Sequence, residues 1–259
     1  MSNLLDMIWI EFRKAIRSRI PLWTSLGSLF MPLAVALLIF IAKNPGISLK
    51  LGLVSAKANL LTYSATDWSS YLVLFAEIVS AGGFFFFVIA VSWVFGREFV
   101  DGTLKDMLAV PVQRMHIVLA KFILVAAWCA VMAVIMLIFG LTVGLILQLP
   151  GGSLSVILHG SSVAVITVCL IIAVVLPFAF FASVGRGYLL PIALAVLSLI
   201  TANMIMVVGW AEYFPWAVPI LYAQDQSALT PISYWIVFLT CVAGMIGTYL
   251  WWKYADQNR

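Results

Sequence analysis

Residues 118–147 read VLAKFILVAAWCAVMAVIMLIFGLTVGLIL, a stretch that contains a single charged side chain, Lys121. An α-helix rises about 1.5 Å per residue, so about 20 apolar residues cross the roughly 30 Å hydrocarbon core of a bilayer. The stretch is therefore long enough to span a membrane, with tilt or with an extension beyond the hydrocarbon core.

The composition of the whole chain points the same way. Of its 259 residues, 64% are hydrophobic and only 9% are charged, whereas a soluble domain has about 25% charged residues. The net charge is +4 and the pI is near 9.0. The basic residues are scattered along the flanks of apolar runs and form no soluble basic face, so we expect no nucleic-acid partner.

Five further apolar runs accompany the first. The predicted spans are 22–42, 70–95, 118–147, 155–183, 189–208 and 232–252. Pro32 lies within the first of them and predicts a kink there. The sequence therefore predicts an all-α integral membrane protein with six transmembrane helices in a single transmembrane domain, 1–259.

Residues 1–20, ahead of the spans, have the pattern of an amphipathic helix. Apolar side chains recur at helical spacing, and Arg13, Lys14 and Arg17 occupy the other face. This pattern predicts an interfacial helix whose basic side chains meet anionic headgroups. Pro21 then predicts a helix break, because proline has no N–H group.

The distribution of Lys and Arg predicts the orientation. Most of them lie in the N-terminal segment, the second and fourth loops and the C-terminal tail. Only Lys43, Lys50 and Lys57 fall on the other side. We therefore expect a multi-pass protein of the cell membrane with both termini in the cytoplasm.

The loop between spans two and three, residues 96–114, reads GREFVDGTLKDMLAVPVQR. Gly102 precedes a short helix, Thr103 is a suitable N-cap with Asp106 three residues later, and Pro111 ends the helix. The sequence therefore predicts a helix of about two turns in the cytoplasm, too short to be stable alone.

One face of this short helix is apolar, because Leu104, Met107 and Leu108 follow the spacing i, i+3, i+4. Two interpretations fit. The face docks in a groove of a cytosolic partner, or it packs on the membrane surface or on the ends of the spans.

The loop resembles the signature of ATP-binding-cassette type 2 permeases, the membrane subunits of many bacterial drug, antimicrobial-peptide and polysaccharide exporters. The resemblance rests on Glu98-x3-Gly102-Thr103-Leu104-x2-Met107-Leu108-x2-Pro111-Val112-x-Arg114, followed by Ala120-Lys121. It implies that the loop helix is a coupling helix and that the N-terminal helix is an interfacial connecting helix. It also implies a set of residues at or near the ATPase contact: Glu98, Gly102, Thr103, Leu104, Met107, Leu108 and Arg114.

The resemblance further implies the partners. Two cytosolic ATPase subunits would bind the coupling helices, and a second permease copy or a homologue would complete the pathway. The spacing of glycine and lysine in the loop does not match a phosphate loop. We therefore expect no cofactor on this chain, with ATP and Mg²⁺ bound by the partner.

Residues 210–231, between spans five and six, are too apolar for a solvated loop and longer than a hairpin needs. Pro215, Pro219 and Pro231 divide them into pieces too short to cross a bilayer. A re-entrant or interfacial hairpin on the outer side is predicted, and the resemblance agrees. A loop that lies on the surface is the alternative.

Glu77 is the only acidic residue predicted inside a span. A charge at that depth costs a few kcal/mol unless it is neutralised, paired or hydrated. It either lines the transport pathway or forms a protonated or hydrogen-bonded helix contact, unless the span starts later than drawn. Asn203, in the fifth span, is a second pathway candidate, for which an interhelical hydrogen bond is the favoured interpretation.

The favoured function is an exporter permease for a drug, an antimicrobial peptide or another amphipathic substrate. A membrane-embedded enzyme is one alternative, but the sequence contains no HExxH or GxSxG motif. An ion-coupled secondary transporter that uses Glu77 is the other, and it lacks an evident inverted repeat.

Overall fold

The computed structural model describes residues 2–43, 67–104, 107 and 112–254. Every long regular element within these ranges is an α-helix. The helices are α1 (Ser2–Arg17), α2 (Ile20–Ser28), α3 (Phe30–Lys43), α4 (Trp68–Val100), α5 (Arg114–Ile146), α6 (Leu154–Val175), α7 (Phe178–Val184), α8 (Leu189–Val208), α9 (Val218–Gln224) and α10 (Pro231–Tyr254). Two short 3₁₀ turns, Ala211–Tyr213 and Gln226–Ala228, flank α9.

Six helical stretches of the described chain are long and apolar enough to cross a membrane. They are Ile20–Phe40, Trp68–Val100, Arg114–Ile146, Leu154–Val184, Leu189–Val208 and Pro231–Tyr254. The predicted all-α membrane fold with six spans is confirmed. Since α4 and α5 have 33 residues each, each is about 50 Å long and must tilt or extend beyond the hydrocarbon core.

Prolines divide two of the spans. Pro32 cannot donate to the Ser28 carbonyl, and the helix is interrupted at Leu29, between α2 and α3. The predicted kink is therefore present, three residues before the proline. The sequence predicts one helix over residues 155–183, and the structure instead has a break between α6 and α7 at Pro177. Gly244 of α10 packs directly against Pro177.

Helix α1 has a buried face as well as an exposed apolar face. Met7, Glu11 and Ala15, spaced four residues apart, are buried, and α1 packs against α5. Trp9 and Ile16 are exposed, as an amphipathic surface helix requires. The first helix ends at Arg17 and α2 begins at Ile20, so the predicted break is present a few residues before Pro21, which lies in the first turn of α2.

The bundle has two distinct ends. We call one the basic end: it contains α1, the end of α4, the start of α5, the turn at residues 185–187 and the end of α10. Gly96 of α4 and Gly187 approach closely there, since a Cβ at Gly96 would lie 2.9 Å from the Gly187 carbonyl oxygen. The opposite end contains the start of α4, where Trp68 N donates to Pro150 O at 3.1 Å.

The segment between α8 and α10 inserts into the bundle, and α9 packs against α4 and α6. Trp216 Nε1 donates to the carbonyl oxygen of Val174 at 3.1 Å. Gln226 and His159 both line one cavity at the opposite end of the bundle. Because Val174 follows His159 by 15 residues on one helix, the segment runs about 22 Å along the bundle. A loop wholly on the surface does not fit this geometry; re-entry into the membrane itself stays a prediction.

Candidate functional site

Four charged side chains meet at the basic end, where α1, α4 and α5 converge. Lys121 Nζ lies 2.7 Å from Glu98 Oε1 and 3.3 Å from Glu11 Oε2. Lys14 Nζ lies 2.7 Å from Glu11 Oε1 and 3.6 Å from Glu98 Oε1. Two positive and two negative charges thus balance in one group of residues, here called the ion cluster.

Three members of the ion cluster are almost inaccessible to solvent, and the fourth, Lys14, is 29% exposed. The side chain of Lys121 is 0% exposed, and those of Glu98 and Glu11 are each 2% exposed. Lys121 Nζ also donates to the carbonyl oxygen of Val94 at 2.8 Å. An unpaired charge in such a site is very costly, whereas a balanced and hydrogen-bonded group of charges is tolerated. The cluster therefore ties α1 and α5 to the end of α4.

The Glu11 carboxyl shows the balance of forces in the cluster. Burial disfavours its charged form, but the ammonium groups of Lys121 and Lys14 outweigh burial and hold its pKa below the ordinary value of 4.5. Glu11 is consequently ionised at neutral pH and contributes its negative charge to the cluster.

The chain turns sharply after α4. Gly102 has a φ of 69°, a left-handed conformation that glycine adopts without strain. Met107 N donates to Thr103 O at 3.1 Å, so a helical turn begins at Thr103, as the sequence predicted. The rest of the predicted coupling helix, with Asp106, Leu108 and Pro111, lies outside the described residues.

The apolar face of this turn packs on the chain's own bundle. Leu104 is only 7% exposed, and Met107 is half-buried against the same core. Of the two interpretations of this face, packing on the ends of the spans fits both side chains. The exposed residues of the turn are Asp101, Gly102 and Thr103.

Glu98 and Arg114, the remaining residues that the resemblance assigned to the ATPase contact, also make contacts within the chain. Glu98 belongs to the ion cluster. Arg114 Nη1 donates to the carbonyl oxygens of Trp252 at 2.9 Å and Lys253 at 3.1 Å. Trp252 Nε1 in turn donates to Ser183 Oγ at 2.9 Å. These bonds join α5, α7 and α10 at the basic end.

The three basic residues assigned to the membrane interface have different surroundings. Arg13 and Arg17 are exposed, whereas Lys14 is half-buried and turns toward the ion cluster. Lys14 and Arg17 also line an open cavity of about 460 Å³, together with Arg97 of α4. Contact of these residues with headgroups stays a prediction.

A cavity of about 320 Å³ lies at the opposite end, between α4, α6 and the turn Gln226–Ala228. Ser69, Ser155, His159 and Gln226 supply its polar groups, and most of the remaining lining is apolar. A mixed lining of this kind suits a compound with both polar and apolar surfaces.

Glu77 lies one helical turn deeper along α4 than Val73, which lines this cavity. Val73, Glu77 and Ala81 recur every four residues and form a stripe that is not buried in the chain's own core. No described residue makes a hydrogen bond or ion pair with the Glu77 carboxylate. Since α4 begins at Trp68, Glu77 lies within the span and not before it. No described residue therefore supports the interpretation of Glu77 as a hydrogen-bonded helix contact.

Asn203 does not make the favoured interhelical hydrogen bond with any residue that the structure describes. Its Nδ2 donates to Leu199 O of the same helix at 2.8 Å, and the side chain is exposed. A backbone carbonyl one turn away is always within reach of a short polar side chain in a helix, so the local bond is formed instead. The pathway assignment for Asn203 stays a prediction.

Sequence reasoning missed two features of the basic end. The sequence gives Glu11 no role in the predicted sites, although it shares a face with Met7 and Ala15 and precedes Lys14 by three residues. Those spacings were the available signal. Lys121 was part of the recognised pattern, but its pairing with Glu98 was not anticipated, because contact across a loop depends on the packing of two long helices.

These features define a multi-pass helical membrane protein. Comparison with known proteins identifies the family: the model of ABC-2 family transporter proteins matches residues 7–203, more than half of the chain. The chain therefore belongs to the ABC-2 transporter family and is a membrane subunit of an ABC transporter.

The chain is also similar to an individual transport permease. The bacitracin transport permease protein BCRB of Bacillus licheniformis is 26% identical over 194 residues, which cover 74% of this chain and 90% of the relative. No solved structure matches the chain.

Proposed function

We propose that this chain is the permease subunit of an exporter of amphipathic compounds, driven by ATPase subunits that bind at the basic end. The observation that supports this proposal most directly is the continuity of α4. This one helix of 33 residues borders the cavity at Ser69 and Val73, passes Glu77 and enters the ion cluster at Glu98. The exposed turn follows immediately.

A helix of about 50 Å transmits displacement along its whole length. Because the ion cluster joins the end of α4 to α1 and α5, a movement imposed on the turn would displace these three helices together. ATP binding and hydrolysis in the partner would then bias the permease between two arrangements, which is what coupling requires. ATP and Mg²⁺ would be bound by the ATPase, and two such subunits would serve two permease chains.

The docking surface is proposed to be the exposed part of the turn, Asp101, Gly102 and Thr103. Leu104 and Met107 would anchor the turn on the bundle and so transmit force from the ATPase to α4. This assignment differs from the one implied by the resemblance, which put Leu104 and Met107 at or near the ATPase contact.

The pathway is proposed to run along the Val73–Glu77–Ala81 stripe. A carboxylate that faced hydrocarbon at this position would cost a few kcal/mol, and the stripe is not covered by the chain itself. A second copy, or a homologous permease, would cover it and enclose a hydrated path. In this arrangement Glu77 meets polar or cationic groups of the substrate.

The substrate and the topology follow from similarity and charge. Because the named relative is a bacitracin transport permease, an amphipathic peptide antibiotic is the substrate class that we propose. The basic end holds most of the Lys and Arg residues of the described chain, so we place it, with both termini, in the cytoplasm of a cell-membrane protein.

Docking can be tested by co-purification with an ABC-type ATPase expressed from a neighbouring gene. We expect Asp101→Lys and Thr103→Trp to lose the ATPase, because both side chains are exposed and the changes leave the core intact. Asp6→Lys, which changes another exposed carboxylate, on α1, is the matched control and should retain it. Retention of the ATPase by both turn variants, with ATP-dependent transport intact, would refute the docking assignment.

The substrate class can be tested in cells with and without the chain. We expect deletion to make bacitracin or a related cyclic peptide more potent, and complementation with wild-type protein to reverse the effect. Glu77→Ala should fail to complement while it still co-purifies with the ATPase. If deletion changes the potency of no peptide antibiotic in a panel, the proposed substrate class is wrong.

A further inference from the structure

An open cavity of about 460 Å³ lies at the basic end, beside the last turn of α1, the start of α2 and the last turns of α4. Its lining combines cations with apolar side chains: Lys14, Arg17, Arg97, Asp101, Ile20 and Trp93. It adjoins the proposed ATPase docking surface, with which it shares Asp101, and it is separate from the cavity at the opposite end.

The charges of this cavity are not balanced. Lys14 is paired with Glu11 and Glu98 in the ion cluster. Arg97 Nε is 4.0 Å from Asp101 Oδ2, a pair whose carboxylate is 54% exposed and which therefore binds weakly. The side chain of Arg17 makes no hydrogen bond or ion pair with any described residue. With Lys14 counted in the neutral ion cluster, the two guanidinium groups of Arg17 and Arg97 face one carboxylate, that of Asp101, so the cavity keeps a surplus of positive charge.

The Arg97 guanidinium is held in place. It lies over the Trp93 ring, 4.7 Å from the ring centroid. Stacking on an aromatic face leaves the N–H groups at the edge of the guanidinium free to donate in its plane. A guanidinium binds a phosphate in a bidentate manner, through two N–H groups that donate to two phosphate oxygens.

We propose that this cavity binds the phosphate of an anionic phospholipid headgroup. Free phosphate offers the same charged oxygens, but a lipid also has apolar chains. Ile20 and Trp93 line the cavity beside the cations, and the next residues of α2, Leu22 and Trp23, are 57% and 67% exposed. This apolar margin matches the glycerol and acyl region of a lipid, and free phosphate would leave it unused.

The position of the cavity gives such a lipid a structural role. It lies where α1 meets α2 and where α4 enters the ion cluster, so one bound headgroup would join the N-terminal helix to the helix that borders the pathway. The proposal does not depend on the transported substrate or on the identity of the ATPase.

Lipid binding to the full chain, purified in detergent, tests the proposal by native mass spectrometry. The probes are phosphatidylglycerol, phosphatidylcholine and inorganic phosphate. We expect phosphatidylglycerol to bind, and Arg17→Gln and Arg97→Gln each to weaken it about fivefold, since one basic residue near an anionic surface contributes roughly that factor. Arg13→Gln is the matched control: it removes the same charge from α1 but does not line the cavity, so the affinity for a single bound lipid should change less than in either cavity variant.

The outcomes are distinct. Selective loss in the Arg17 and Arg97 variants supports the site. An equal loss of phosphatidylglycerol affinity in the Arg13 variant would show that the lipid is attracted to basic residues in general, and would overturn the proposed site. Equal binding of phosphatidylcholine would exclude recognition of negative charge, and binding of inorganic phosphate as tight as that of phosphatidylglycerol would exclude the lipid. Unfolding temperatures of the variants without added lipid provide the folding control, because all three side chains are outside the buried core.

Discussion

The two ends of the bundle are held together by different forces. The basic end contains the ion cluster, in which Lys121 and its carboxylate partners are buried. At the opposite end the described residues form no ion pair, and aromatic side chains pack on glycines instead. Tyr71 donates its hydroxyl to the Gly140 carbonyl, and the Trp68 ring lies against Gly144.

The difference indicates how each end responds to force. A buried and balanced cluster is costly to separate, because each charge would be left without a partner. The basic end should therefore move as one unit. When an aromatic ring slides over a glycine, less stabilising free energy is lost than when the ion cluster separates, since dispersion forces are individually weak and depend little on direction. The opposite end, which also contains the 320 Å³ cavity, can change shape as that unit moves.

The largest expected effect comes from the basic end. Lys121→Met removes the central cation and leaves Glu11 and Glu98 buried with one partner, Lys14. We expect a loss of about 3–5 kcal/mol in the free energy of unfolding, the usual cost of breaking a buried ion pair. Thermal unfolding of the purified protein in detergent, with the yield of folded protein, measures it.

A matched control for this variant is Arg13→Met, which removes an exposed charge from the same end. Its free energy of unfolding should change by no more than about 0.5 kcal/mol, as is usual for a surface substitution. If Lys121→Met were as stable as Arg13→Met, the cluster would not be what holds the basic end together, and the contrast between the two ends would fail.

An intermediate effect is expected at the opposite end. A Cβ at Gly144 would lie 2.6 Å from the Trp68 ring, and the buried ring has little room to move. Gly144→Ala should destabilise the protein by about 1–3 kcal/mol through overpacking. Gly247→Ala is the control: the nearest atom to its Cβ, on Phe180, is 3.6 Å away, so this variant should be neutral or gain up to about 1 kcal/mol from helix propensity. Equal unfolding temperatures of the two variants would contradict the packing argument.

The smallest expected effect is on the pH dependence of stability. The pKa of Glu11 in the folded protein is below 4.5, so its contribution is complete above about pH 4.5 and is lost as the pH falls through the lower folded value. Between about pH 5 and pH 3 the unfolding temperature of the wild type should therefore fall more steeply than that of Glu11→Gln. Parallel curves for the two proteins would show that Glu11 does not titrate as a cluster member.

Much of the fold follows from the sequence, because length and hydropathy alone define a membrane span. The six spans, the break before Pro21 and the kink near Pro32 needed only local rules. The break at Pro177 was equally accessible from those rules, but the uninterrupted apolar pattern of residues 155–183 concealed it.

The candidate site was less predictable. The sequence located the turn at Gly102 and Thr103, because glycine and an N-cap residue have local signatures. It left open what covers Leu104 and Met107, since periodicity shows that a face is apolar but not which surface covers it, and only the resemblance put them at or near the ATPase contact. The interhelical bond expected for Asn203 failed for a similar reason: the choice between its own backbone and a neighbouring helix depends on how that neighbour packs.

The sequence by itself determined that this chain crosses a membrane six times and that its short loop resembles that of a transporter permease. Both conclusions rest on composition and on residues close together in the chain. Only the tertiary structure decided that Glu11, Lys14, Glu98 and Lys121 form one neutral cluster, and that Arg17 and Arg97 border one cavity. Charges from separate helices come together only through the packing of those helices, and no local pattern specifies that packing.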